Sequence, residues 1–178
     1  MRPIPAKIRR RAQRIKLLLL DVDGVMTDGG IVMNHKGEEI KRFNVRDGHG
    51  IRLLMSAGVQ VGLVTGRSSR VVTHRARDLG IRMVYQKAFN KLVAYQKIKT
   101  KTGLSDSEIA YVGDDIVDLP VLRRVGLAMA VKDAEENVKG AVHYVTKQRG
   151  GRGAVREVVE LLLRAQGRWE GLLKKYYE

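Results

Sequence analysis

Cysteine is absent from the 178 residues, so the chain has neither a disulfide framework nor a thiolate metal site. Any metal it holds must be bound by oxygen or imidazole ligands. Long apolar runs are absent as well: none approaches the roughly 20 residues that cross a bilayer. The basic opening MRPIPAKIRRRAQRIK leads into LLLL at 17–20, which is shorter than a signal-peptide core. A cytoplasmic protein with no membrane insertion is the expectation. Aromatic residues are scarce at 5%, which argues against a surface for stacking nucleic-acid bases. Acidic residues are also outnumbered, 19 against 34 Lys plus Arg, for a net charge of +15. That excess attracts polyanions non-specifically. Much of it sits near the ends, in Arg9, Arg10, Arg11 and Arg14 and in Arg149, Arg152, Arg156, Arg164 and Arg168. It reads as a solvated basic surface, as a nucleic-acid site, or as a positive funnel for a small anionic substrate, and the motifs favour the last.

What is present, 44% apolar residues in 178, suffices for one domain with a real core. Short apolar runs alternate with helix-length amphipathic segments, the pattern of a parallel α/β sheet. Strands are predicted at 16–22, 59–65, 81–85, 108–114 and 125–131, with a short sixth at 141–146. Helices are predicted at 48–58, 68–80 and 90–103, each ending at glycine, and at 154–167. Residues 29–45 break the alternation: two strand-like arms around Asn34–Gly37 read as a β-hairpin. Residues 167–178 form a tail whose Trp169, Leu172, Leu173, Tyr176 and Tyr177 either pack on a partner or fray.

In an open parallel sheet ligands bind beyond the carboxyl ends of the strands. The first strand delivers Asp21 and Asp23, the second Thr65, Gly66 and Arg67, and the fourth Asp114 and Asp115 with Asp118 a turn later. A calcium loop does not fit D-x-D-G here, because the glycine comes at the fourth position and Val32 stands where a bidentate Glu is needed. So many like charges at one edge call for a cation, and Mg²⁺ suits carboxylates that leave room for water and phosphate oxygens. His49 and His74 lie in predicted helices without partners at metal spacing and read as packing or surface residues.

DVDGV at 21–25, VTGR at 64–67, Lys91 in NKL and GDDIVD at 113–118 resemble the four ordered motifs of the haloacid-dehalogenase-like (HAD) phosphatases. DGVMTDGGI, FNVRDGHGI, VTGRSS, VGDDIVDLP and the late GGRGAVRE more narrowly resemble the 3-deoxy-D-manno-octulosonate 8-phosphate (Kdo-8-phosphate) phosphatases. Asn90 departs from that pattern, which usually has Asp before the motif lysine. The resemblance implies a HAD-like Rossmannoid sheet flanked by helices, with the hairpin as a flap after the first strand. Only 25 residues (66–90) separate Thr65 from Lys91, so no large cap domain fits there.

The same resemblance implies a Mg²⁺-dependent phosphomonoesterase of lipopolysaccharide biosynthesis. Asp21 would be the nucleophile that forms an aspartyl-phosphate, and Asp23 the acid/base. Thr65 and Lys91 would bind the phosphoryl oxygens. The metal would be held by Asp21, Asp114 and the backbone carbonyl of Asp23, with Asp115 or Asp118 behind them. Gly66, Arg67, Arg46 and Arg152 are candidates for substrate binding. A homotetramer is implied, with hairpins and a neighbour's C-terminal segment walling each site. The competing expectations are a phosphatase of a nine-carbon sialic-acid-type sugar phosphate, and a non-catalytic nucleic-acid-binding or regulatory protein on the same fold. Retention of Asp21, Asp23, Thr65, Lys91 and Asp114 together argues against the second.

Overall fold

The computed structural model describes residues 4–177. Strands run at Leu17–Leu20 (β1), Val32–Met33 (β2), Glu39–Ile40 (β3), Gln60–Val64 (β4), Met83–Tyr85 (β5), Ile109–Gly113 (β6), Leu127–Ala130 (β7) and Tyr144–Val145 (β8). Helices are Ala6–Ala12 (α1), Val45–Ser56 (α2), Arg70–Leu79 (α3), Lys91–Thr102 (α4), Leu119–Leu122 (α5), Glu136–Gly140 (α6), Ala154–Ala165 (α7) and Trp169–Lys174 (α8). Six strands form one parallel sheet in the order β5-β4-β1-β6-β7-β8. The four leucines of β1 are wholly buried, as a central strand covered on both faces requires. The expected α/β class and all six strands are present.

Residues 29–45 contain the expected hairpin, with Val32 opposite Ile40 and Met33 opposite Glu39. Its turn closes through Gly37 N–H donating to Asn34 O, and Gly37 takes φ 75°. The hairpin ends sooner than expected because Asn44 caps α2, its side chain accepting from the N–H groups of Arg46 and Asp47. That cap starts the helix at Val45 and not at Gly48. Ser69 and Asn90 cap α3 and α4 in the same way, and Gly80 and Gly103 end them with φ of 80° and 69°.

Helix α1 lay hidden in a basic tract. Its buried residues, Ile8 and Ala12, are four apart and so share a face, while Arg9, Arg10 and Arg11 dominate its composition. In the tail Trp169 is buried, with Arg156 and Arg164 over its ring. Leu172 and Leu173 pack partly on the core and Tyr177 is exposed, while Glu178 lies outside the described residues.

Helix α7 follows Gly153, an N-cap that offers no capping side chain. Asp47 of α2 supplies one instead: its carboxylate accepts from Arg156 N at 2.7 Å and Gly153 N at 3.2 Å. Asp47→Ala is expected to destabilise the fold by about 1–2 kcal/mol, the value of a good cap. Urea unfolding followed by circular dichroism checks this, and an unchanged midpoint would show that α7 starts without help.

Candidate active site

The parallel register sets Leu20 beside Leu63 of β4 and Val112 of β6. Asp21 follows directly, and Thr65 and Asp114 follow β4 and β6 one position further along, so all three emerge at one edge. Asp21 stands there, 6% exposed, its N–H donating to Val112 O and its Oδ1 accepting from Val22 N at 2.7 Å. Its other oxygen meets Lys91 Nζ at 2.7 Å. Lys91 opens α4 directly after the Asn90 cap, so the helix start fixes where this lysine points. The Asn90 side chain accepts from Leu92 and Val93 N–H, a capping task an Asp would perform equally well.

Behind the lysine lies Asp118, with no exposure at all. It accepts from Lys91 Nζ and Tyr111 O–H at 2.6 Å and from the N–H groups of Asp114 and Asp115 at 3.0 and 3.3 Å. Four donors saturate it. Asp118 therefore orients Lys91 and the β6 loop. Asp115 is exposed and caps the short 3₁₀ turn Ile116–Asp118 through Ile116 N. Thr65 is buried at the end of β4, and its Oγ1 accepts from Arg67 N at 3.4 Å. Gly66 follows, with nothing within 4 Å of where a side chain would stand.

Burial pushes Asp21 up to about 7 against the opposing pull of Lys91. Burial together with the charges of Asp21 and Asp118 pushes Asp114 up to about 8. Burial alone would lower Lys91, but the two carboxylates hold it above its ordinary value. One oxygen of Asp114, Oδ1, is buried with no hydrogen-bond partner. Asp21, Asp114 and Asp118 each bring a carboxylate oxygen within 4.8 Å of the others. With Asp118 saturated, the free capacity lies on Asp21 and Asp114, a hard-oxygen pair that fits a divalent cation such as Mg²⁺. Gly24 leaves room for this, because a Cβ there would overlap the Asp114 carboxylate.

The loop 21–28 is backed from far along the chain. Gly151 N donates to Val25 O at 2.9 Å, and a Cβ on Gly150 or Gly151 would strike the backbone of Gly24 or Thr27. Gly150 and Gly151 are thus the floor under the loop 21–28. Arg152, from the same motif, lies 3.6 Å from Asp28, which Arg42 also pairs. Asp28 also accepts from Gly30 N, bracing the base of the hairpin.

Asp23 is only partly buried and meets the hairpin. Lys41 Nζ bonds its Oδ1 and also lies 2.9 Å from Glu39 Oε1. Arg67 lies 3.1 Å from Glu39 and 3.8 Å from Asp23 Oδ2. Arg46 and Arg152 do not join this group. They line a cavity of about 640 Å³ with Lys147, Arg156, Glu157 and Glu160, which none of the acids at the sheet edge lines. His49 and His74 are exposed, and His49 stacks edge-on with Tyr176.

Sequence reasoning did not single out Glu39, Lys41, Tyr111, Gly150 or Gly151 for the site. A signal for the first pair existed: two residues apart on one hairpin arm, they share a face, opposite to exposed Ile40.

The haloacid dehalogenase-like hydrolase family profile matches residues 80–158. The 3-deoxy-D-manno-octulosonate 8-phosphate phosphatase of Escherichia coli is 48% identical over 93% of this chain and 88% of that protein. The crystal structure of the same phosphatase from Yersinia pestis superposes with a TM-score of 0.93 at 47% identity, covering 95% of this chain and 91% of that one. That from Moraxella catarrhalis, in complex with magnesium ion, phosphate ion and Kdo, gives 0.95 at 39% identity over 97% and 99%.

Proposed function

We propose that this chain, which belongs to the Kdo-8-phosphate phosphatase family of haloacid dehalogenase-like hydrolases, hydrolyses Kdo-8-phosphate to Kdo and inorganic phosphate at the acidic edge of its sheet. The observation that carries the residue assignment is the buried Asp21–Lys91–Asp118 chain beside an Asp114 oxygen with no partner. Asp21 and Asp114, with the backbone carbonyl of Asp23, hold Mg²⁺. The bound ion offsets carboxylate and phosphate charge.

Asp21 attacks phosphorus, forming an aspartyl-phosphate as the bond to the sugar oxygen breaks. Asp23 gives its proton to that oxygen, then takes one from the water that attacks phosphorus and frees Asp21. Lys91 and Thr65 bind the phosphoryl oxygens, where charge must be stabilised in flight. Lys91 is already aligned by Asp118, so little reorganisation accompanies the reaction. Arg67, 42% exposed on its side chain and steadied by Glu39, reaches the sugar, and Gly66 leaves it space. Arg46 and Arg152 offer guanidinium groups to the sugar-acid carboxylate from the neighbouring cavity.

One phosphatase domain spans the chain, acting in the cytoplasm in lipopolysaccharide biosynthesis without a specific nucleic-acid partner. Among the described residues no helix is long and apolar enough to cross a membrane. The working unit is a homotetramer. Ile31, Val32, Met33 and Ile40 support this, because each is more than half exposed on the hairpin and leaves an apolar face for other copies to cover.

Phosphate release across a panel of sugar phosphates tests the reading. Kdo-8-phosphate is expected to exceed the nine-carbon sialic-acid-type phosphate by about 10-fold or more in kcat/KM, the scale of one misfitted substrate contact. Comparable values across the panel would remove the substrate assignment.

A further inference from the structure

We propose that Lys41 of the hairpin is a positioning residue for Asp23: it grips one oxygen of that carboxyl group so that the other faces the departing sugar oxygen. The inference rests on the reading of Asp23 as acid/base.

Lysine is among the residues least often buried, and this hairpin is exposed, with Ile31, Val32, Met33 and Ile40 between 54% and 58% accessible. Yet the Lys41 side chain is 1% exposed. A buried ammonium needs paired carboxylates, and Lys41 has two, Asp23 Oδ1 and Glu39 Oε1. Among the described residues it is also the one hydrogen-bond donor to the Asp23 carboxyl. Asp21, by contrast, is held by a backbone N–H and by Lys91. The same Glu39 oxygen also meets Arg67, which closes back toward Asp23 Oδ2 at 3.8 Å, so four side chains alternate in charge around a ring. Removing the Lys41 charge leaves Arg67 as the one cation shared by Asp23 and Glu39, and the Asp23 carboxyl, freed at Oδ1, turns toward it. General acid catalysis depends on reach, so a misaimed carboxyl loses most of its effect.

The test compares p-nitrophenyl phosphate with p-nitrobenzyl phosphate, nearly equal in size and both without the sugar. The first leaves as a stable phenolate that needs no proton, the second as an alkoxide that does. The comparison uses kcat/KM, which covers events only up to leaving-group departure, and the ratio of the two values does not depend on the fraction of enzyme that is folded. In Lys41→Met, kcat/KM for p-nitrobenzyl phosphate is expected to fall about 100-fold and that for p-nitrophenyl phosphate less than about 5-fold. Lys41→Arg is expected to restore the ratio, and Lys41→Gln serves as a second neutral variant. Asp23→Asn, assayed in parallel, is expected to shift the ratio at least as far. An unchanged ratio in both neutral Lys41 variants beside a shifted one in Asp23→Asn overturns the positioning role alone. An unchanged ratio in Asp23→Asn overturns the acid/base reading and the proposal with it.

Discussion

Asp21→Asn is expected to lower kcat on Kdo-8-phosphate by about 10⁴-fold or more, the scale of losing a covalent nucleophile. An amide oxygen is a poor nucleophile toward phosphorus and carries no charge for Mg²⁺, so both tasks assigned to Asp21 fail together. The fold is expected to survive. Lys91 would keep Asp118 at 2.6 Å, so the buried ammonium is not stranded, and the Val22 N–H can still donate to a side-chain oxygen. Acid quenching of wild-type enzyme with labelled substrate should trap a phosphorylated protein, and the variant should trap none. Activity within about 10-fold of wild type would move the nucleophile elsewhere.

Removal of Mg²⁺ is expected to abolish turnover and to cost the most stability at alkaline pH. In the metal-free protein burial is the main reason that Asp21 stands near 7 and Asp114 near 8. Lys91 opposes the rise at Asp21, and neighbouring carboxylates add to it at Asp114. Acids raised on folding keep protons that the unfolded chain releases near pH 4. The folded state therefore binds more protons between about pH 4 and 8, and metal-free stability falls as pH rises through that window. A divalent cation pairs with the ionised carboxylates and reverses the loss. At 100 times Kd the ion stabilises the fold by about 2.7 kcal/mol, or about 5–10 °C in Tm for a chain of this size. Thermal melts with Mg²⁺ and with a chelator should differ strongly at pH 8 and little at pH 5. Equal shifts at both pH values would mean that the ion binds somewhere other than these acids.

The acidic edge was legible because it follows from a local rule. Asp21, Thr65 and Asp114 each sit just after a strand that its own apolar run announces, and parallel pairing brings them to the same edge, Thr65 and Asp114 one position beyond Asp21. Lys91 was reachable only through motif order, since a lysine opening a helix carries no local mark of burial. Asp118 was placed behind the metal ligands, but its saturation by Lys91, Tyr111 and two backbone N–H groups depends on the start of α4 meeting the folded turn at 111–118. Lys41 was missed for the same reason: its burial comes from the hairpin folding back over residue 23, which no window along the chain reveals. Gly150 and Gly151 were quoted as a motif, yet their purpose appears only where they press on Gly24 and Thr27. The short helices α5, α6 and α8 escaped because four to six residues give too few turns for an apolar period to register.

The strand order also sets a timetable for synthesis. The tetraleucine strand is made before both its neighbours, for in the sheet it lies between β4 and β6, and Leu20 pairs with Val112. At ribosomal rates of roughly 5–20 residues per second, that partner follows after about 5–20 s. Throughout that interval an apolar strand with an open edge has left the tunnel without its neighbour, a natural client for the chaperones that wait at the exit. The loop carrying Asp21 waits longer still, until Gly150 and Gly151 arrive beneath it, so a nascent chain gains a supported loop only after residue 151 has emerged.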